Sequence, residues 1–371
     1  MSIRILHTAD VHIGAKLAFL GSKSEEQRRQ INTTFGSICD LALSRKANLF
    51  LIAGDMFDNP FPSKSNILFV AENLKELTDA GIYVAVIPGN HDLLEPGSVF
   101  TRDYFKDLPQ EKLHIFNSGQ SEAWQIAELE CVIYGRGTSE NKTRKSPLEG
   151  IAKLSTKFQI GLFHGSVDIL PEVDNLPIPK TEIAKLGFDY LALGDWHSTL
   201  DVSQGKHKAF YSGSPELVNS GQFGSGNVLM VELETGSCKV EQVAVGMRKA
   251  IKLQVDLAKF AGFSELGAEL AKRKDKDAVL SLELTGLRKL SGGFDSFELQ
   301  QFLGQYFYFV NIADHSQLQL DAETLNQFPE ETIKGKFIRI LQKQKGKDEH
   351  ENLLLDEAIQ LGLKFLSDEA D

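Results

Sequence analysis

The chain has 371 residues, 42% of them hydrophobic and 25% charged, an ordinary globular balance with room for one large domain and a smaller one. No apolar run approaches the roughly 20 residues of a membrane span, and the opening MSIRILHTADVH lacks a secretory hydrophobic core, so a cytoplasmic protein with no membrane partner is expected. The formal charge of -11 falls mostly on the C-terminus, where eight acidic residues face one lysine from Asp348 onward (a balance of -7), leaving -4 elsewhere and a nucleic-acid partner neither supported nor excluded.

In chain order, short apolar runs read as strands at Ile3 to Leu6, Leu49 to Ala53, Ile82 to Ile87, Ile160 to Phe163 and Tyr190 to Leu193. Helical patterns alternate with them, the pattern of an α/β domain. Ser24-Glu-Glu-Gln27 resembles a capping box, followed by Ile31, Phe35, Ile38 and Ala42 at helical spacing. From Ala209 strands and turns take over and close the same domain. After Val245 a small α/β appendage is expected, with strands at Ile251 to Val255, Val279 to Leu284 and Phe307 to Ile312 and helices around Phe263 to Lys274 and Phe294 to Gln305. Ile333 to Lys345 is amphipathic, with Ile333, Phe337, Ile340 and Leu341 on one face, and the last helix carries Leu354, Ala358, Leu361 and Phe365 as a stripe. The expected division is 1–245, 246–345 and an acidic helix at 346–371. Cys39, Cys131 and Cys238 have neither disulfide nor zinc-finger spacing and read as small buried hydrophobes.

Each of the five early strands is followed by a polar motif: Asp10-Val-His12, Gly54-Asp55-Met-Phe-Asp58, Gly89-Asn90-His91-Asp92, His164-Gly165 and Gly194-Asp195-Trp196-His197. Open α/β sheets bind ligands at strand ends. In an extended segment residues i and i+2 share a side, so Asp10 with His12, and Asp195 with His197, can each grip one ion. Asp55 can bridge two ions, Asn90 offers an amide oxygen and His164 an imidazole. These seven oxygen and nitrogen donors suit two divalent cations roughly 3.5 to 4 Å apart, with open positions for water activation and phosphate oxygens. His91, beside Asn90, is placed to protonate a departing oxygen, and Asp58 to orient it. A metal-free cluster of so many carboxylates and imidazoles would be costly in a low dielectric.

These motifs resemble the calcineurin-like metallophosphoesterase superfamily. With Tyr211-Ser-Gly-Ser-Pro-Glu216 they are similar to the SbcD and YhaO type of DNA-repair exonuclease over about residues 1 to 250. The resemblance implies two packed mixed sheets flanked by helices, manganese as the usual metal with magnesium or iron(II) as alternatives, and DNA phosphodiesters as substrates. It also implies a coiled-coil ATPase partner of the SbcC type, with a homodimer as a further option. The chain departs from the common Gly-His-x-His at Gly194-Asp195-Trp196-His197, where a carboxylate replaces an imidazole. With Asp10, Asp55 and Asp195 supplying -3, a harder second site favouring manganese or magnesium over zinc is expected.

Two other readings stay open: a phosphodiesterase or phosphatase acting on nucleotides or small phosphoesters, and a DNA-end or ATPase-binding subunit with a weak centre. His7 is expected to make a structural hydrogen bond, and Trp196 to be a packing wall. Lys16, Lys23, Arg28 and Arg29, and a second group of Arg136, Lys142, Arg144 and Lys145, are candidates for backbone contacts with DNA or simply solvated faces.

Overall fold

Leu49–Ala53 and Tyr83–Ile87 are buried at every position, the mark of strands covered on both faces. The computed structural model describes residues 2–140, 143–168, 176–289, 294–319 and 327–368, and the chain divides into two units, Met1–Ala250 and Ile251–Asp371.

The first unit contains β1 (Ile3–Thr8), α1 (Ser24–Ser44), β2 (Leu49–Ala53), α2 (Lys64–Asp79), β3 (Tyr83–Ile87), β4 (Leu113–Ile115), β5 (Glu122–Ile126) and β6 (Cys131–Gly135). It continues with β7 (Phe158–His164), α3 (Lys180–Leu186), β8 (Tyr190–Gly194), β9 (Leu200–Asp201), β10 (Lys208–Tyr211), β11 (Asn227–Glu234) and β12 (Ser237–Ala244). These strands form two six-stranded mixed sheets, in the orders β12-β11-β1-β2-β3-β4 and β5-β6-β7-β8-β10-β9.

Period-two alternation joins the sheets. Ile5, Leu49, Leu51 and Ile87 of one meet Ile133, Ile160, Leu162 and Tyr190 of the other in a single buried cluster. Each such side chain contributes roughly 1.5–3 kcal/mol when fully buried. On the outside, α1 buries Ile31, Phe35, Ile38 and Ala42, and α2 buries Ile67, Val70, Leu74 and Leu77. Because β1, β2 and β3 run parallel, as do β7 and β8, the motifs that follow them leave each sheet at a common edge.

Ser24 is not a cap. A 3-10 turn at Ala18–Lys23 runs straight into α1, so Ser24 lies inside the helical run and its hydroxyl bonds back to the Leu17 and Gly21 carbonyls, each at 2.7 Å. Cys39 and Cys131 are buried as expected, whereas Cys238 is only partly so.

The second unit holds a three-stranded sheet of β13 (Lys249–Asp256), β14 (Asp275–Thr285) and β15 (Phe307–Asp314), with β14 and β15 parallel. Helices α4 (Phe263–Ala271) and α5 (Ser296–Leu303) supply Leu266, Leu270, Leu299 and Leu303 to its core. The helices Ile333–Gln344 and Glu349–Asp368 belong to the same unit and meet through Ile338, Ile359 and Leu363. The stripes expected from sequence face outward in part. Ile340 is 59% exposed, Leu354 52%, Leu361 56% and Phe365 64%. Each helix carries two overlapping apolar stripes, and spacing alone does not say which one the core takes.

Candidate metal centre

Beyond β1 the chain is not extended. Asp10 (φ 51°) and His12 (φ 53°) adopt the left-handed region, as does Asp55 (φ 48°) beyond β2, while Asp195 beyond β8 has φ 100°. The expected i, i+2 projection is therefore replaced by kinked backbone. Such conformations cost energy in a non-glycine residue and persist where neighbours over-determine them. Here the loops lace together: Asp10 N–H donates to the Gly54 carbonyl at 3.1 Å, His12 N–H to Asp55 at 2.9 Å and Ile13 N–H to Met56 at 2.9 Å.

The glycines of the motifs follow from close approach. A Cβ on Gly54, at φ +95°, would lie 2.0 Å from His164 Nδ1, and one on Gly89 would lie 2.2 Å from Asp55 Oδ1. In the actual structure the His91 N–H donates to that Asp55 oxygen at 2.8 Å.

The side chains converge in three overlapping groups: Asp10, His12 and His197; His12, Asp55 and His91; Asp10, Asp55 and His164. Within each group the ligand atoms lie within 4.8 Å of one another. Asp55 shares two of the groups, the placement a bridging carboxylate needs. Asn90 Oδ1 is 2.7 Å from His164 Nε2, Asp55 Oδ2 is 3.6 Å from it and Asp195 Oδ1 is 3.7 Å from it. All seven expected ligand residues thus gather at one place. His91 has a nitrogen within ligand reach as well, yet its side chain is 44% exposed where those of His164 and Asp10 are sealed.

Asp58 is placed differently from expectation. Its carboxylate is 3.2 Å from His12 Nδ1 and 3.8 Å from His91 Nδ1, while its backbone carbonyl lies 3.3 Å from the latter. It stands between the two imidazoles, nearer to His12, whose ring is edge-on to that of His91 at 4.7 Å between centroids.

The electrostatics fit a cation. His164 Nδ1 donates to the Ala53 carbonyl at 3.0 Å, which turns Nε2 toward the Asn90, Asp55 and Asp195 oxygens. Burial lowers the basicity of His164, but Asp55, Asp195 and Asp10 outweigh it and raise its pKa to about 9. Burial pushes Asp10 well above the carboxylate range, opposed by His164 and reinforced by Asp55. Burial likewise raises Asp195. Asp55 stays low, because His164, His12 and His91 together overcome its burial. Without a metal the cluster must borrow protons to offset charge, and divalent cations relieve that need. The mixed oxygen and nitrogen donors are of the type first-row divalent metals accept.

Several supporting residues carried no periodic or spacing signal. The Ser166 hydroxyl donates to Asp195 Oδ2. The Gln222 amide contacts His197 Nδ1, its oxygen fixed by the Val218 and Asn219 N–H groups at 2.8 and 3.1 Å. Asp92, inside the third motif but given no role, accepts from Gly89 N–H at 2.7 Å and Phe57 N–H at 3.0 Å, pinning two ligand loops together. Ser214 bonds the Asp10 carbonyl at 2.7 Å, and buried Glu216 accepts from Thr34, Leu217, Met247 and Arg248 at 2.9 to 3.0 Å. The Tyr211 to Glu216 motif is therefore a brace behind the centre.

His7 is structural, its Nδ1 2.9 Å from the Tyr190 hydroxyl, and Trp196 packs against the core of the second sheet. Among the basic candidates, Arg28 bonds the Lys16 carbonyl, Arg29 pairs with Glu25 and Arg136 bonds the Gly119 carbonyl. Arg144 and Lys145 are exposed, and Lys142 lies outside the described residues.

Residues 3–199, more than half of the chain, match the family described as calcineurin-like phosphoesterase. The uncharacterized metallophosphoesterase YhaO of Bacillus subtilis is 27% identical over 252 residues, covering 64% of this chain and 59% of that protein. The DNA double-strand break repair protein Mre11 of Aeropyrum pernix is 26% identical over 266 residues, covering 68% and 64% respectively. Its counterpart from Sulfurisphaera tokodaii is 30% identical over 222 residues, covering 58% and 54%. The chain thus spans between 54% and 64% of the length of these curated relatives.

Proposed function

The chain belongs to the calcineurin-like phosphoesterase family, and from that premise we propose that it is a two-metal nuclease hydrolysing DNA phosphodiester bonds. The observation that carries this reading is the convergence of Asp10, His12, Asp55, Asn90, His164, Asp195 and His197 at the strand ends, with His91 on the open side. The names of the Mre11 relatives support DNA as the substrate class.

Asp10, His12 and His197 would hold one cation, Asn90, His164 and Asp195 the other, and Asp55 both. Bound there, divalent cations supply Lewis acidity toward phosphate oxygens and lower the pKa of a coordinated water. Manganese is the proposed metal, with magnesium or iron(II) as alternatives, and the carboxylate of Asp195 disfavours zinc. Zinc supporting turnover as well as manganese would contradict that preference.

His91 delivers a proton to the departing oxygen, a role its exposure allows. Asp58, beside both His12 and His91, orients the pair. The buried Ala53 carbonyl behind His164 fixes which nitrogen of that imidazole faces the centre.

A second reading, hydrolysis of nucleotides or small phosphoesters, uses the same residues, because the metals would recognise phosphate and not its substituents. Rates on duplex DNA, single-stranded DNA and a mononucleotide decide between them. Faster cleavage of DNA supports the nuclease; faster turnover of the mononucleotide sinks it. A centre inert toward a generic aryl phosphodiester at full manganese loading would leave only a binding role.

The outward stripe of Leu354, Leu361 and Phe365 supports a coiled-coil ATPase of the SbcC type as partner, since amphipathic helices dock through such stripes; a homodimer is the alternative. Deleting 352–371 with partner binding intact would remove the terminal helix from that contact. The expected setting is the cytoplasm.

A further inference from the structure

We propose that Ser166 is a positioning residue that restricts Asp195 to a single metal-facing oxygen, making the carboxylate act as a one-donor ligand. This rests on the metal-centre reading above. The Ser166 hydroxyl donates to Asp195 Oδ2, while Oδ1 is the oxygen directed at the cluster, 3.7 Å from His164 Nε2. The backbone N–H of Asp195 is used elsewhere, donating to Asp10 Oδ1 at 3.0 Å. Two carboxylates of the centre are thereby held in register through Asp195.

Ser166 is itself built in. It is 7% exposed, its N–H donates to the Leu176 carbonyl at 3.1 Å and its carbonyl accepts from Ile178 N–H at 2.8 Å. The preceding Gly165 N–H donates to the Gly194 carbonyl at 3.1 Å, and a Cβ on Gly165 would lie 2.3 Å from the Leu176 carbonyl oxygen. The hydroxyl therefore reaches Asp195 from a backbone locked to the end of β8. A carboxylate with both oxygens free can bind bidentate, which suits large flexible cations such as calcium; one silenced oxygen suits the smaller ions with stricter geometry.

Calorimetric titration of the full chain with Mn²⁺ and separately with Ca²⁺ tests this. The wild type should bind two Mn²⁺. Ser166→Ala should weaken one of them by about 10- to 100-fold, the usual cost of losing a partner of a metal ligand, while Ca²⁺ weakens less, so that the Ca²⁺/Mn²⁺ affinity ratio rises. Ser166→Thr, which keeps the hydroxyl, should restore wild-type behaviour, and the metal-free melting temperature shows whether each variant folds. Unchanged Mn²⁺ affinity in Ser166→Ala, equal weakening of both ions, or a Ser166→Thr variant that behaves like the alanine overturns the proposal. Absence of Mn²⁺ binding by the wild type overturns the metal-centre reading itself.

Discussion

Nε2 of His12 lies 3.3 Å from Nε2 of His197, although the residues are 185 positions apart in the chain. Burial, and then the neighbouring His12, lower the pKa of His197 to about 3, so at neutral pH its ring is an uncharged base facing another imidazole. Such a pair is suited to share a cation. Manganese should therefore stabilise the fold, by about 2.7 kcal/mol at 100 times its dissociation constant. Melting temperature in chelator against MnCl₂ measures this, and His12→Ala or His197→Ala should shrink the shift. A shift in both variants as large as that of the wild type would remove this pair from the centre.

His91→Asn should keep its metal and lose on the order of 10²- to 10⁴-fold in kcat, because only the proton donor is removed. Metal content and single-turnover rates on a DNA substrate measure the two effects separately. Near-normal turnover would dismiss His91 as the acid.

Gly54→Ala should cost roughly 1–3 kcal/mol from backbone strain alone, and displace His164 as well. Chemical denaturation reports the first effect and metal titration the second. A variant with wild-type stability and affinity would show that the β2 loop relaxes freely, contrary to the lacing between Asp10, His12 and this loop.

Burial drives the His7 imidazole down to about 3. An unfolded histidine titrates near 6.5, so between pH 6.5 and 3 the unfolded chain binds a proton that the folded chain refuses. Folded stability is accordingly lost as pH falls through that window, about 5 kcal/mol in full. His7→Gln should flatten the dependence of unfolding free energy on pH between 6 and 4. An unchanged slope would mean that His7 is protonated in the fold, in conflict with its burial beside Tyr190.

The five strands and their motifs could be read from sequence because a buried parallel strand is a continuous apolar run and a polar cluster beside its end has little structural reason to recur. Leu49–Ala53 matches residue for residue. The backbone at Asp10 and His12 could not be read, since left-handed turns in Asp and His leave no pattern in residue type. Nor could Ser166 and Gln222, lone polar residues that matter only through what the fold places against them. In the C-terminal helices the amphipathic period was plain, yet Ile338, Ile359 and Leu363 face inward instead of the stripe through Ile340, Leu361 and Phe365. Period alone does not choose between two neighbouring stripes. Sequence sets Asp58 three residues after Asp55 and makes it the orienting partner of His91, whereas the fold sets its carboxylate closer to His12.

A pair of divalent cations gathered by seven side chains is the basis of the proposed hydrolysis. Metal stoichiometry of the full chain after manganese loading and removal of excess ion should give two ions per wild-type chain. In Asp55→Ala, which removes the shared carboxylate, it should give fewer than one. Two ions in both proteins, or none in the wild type, would contradict it.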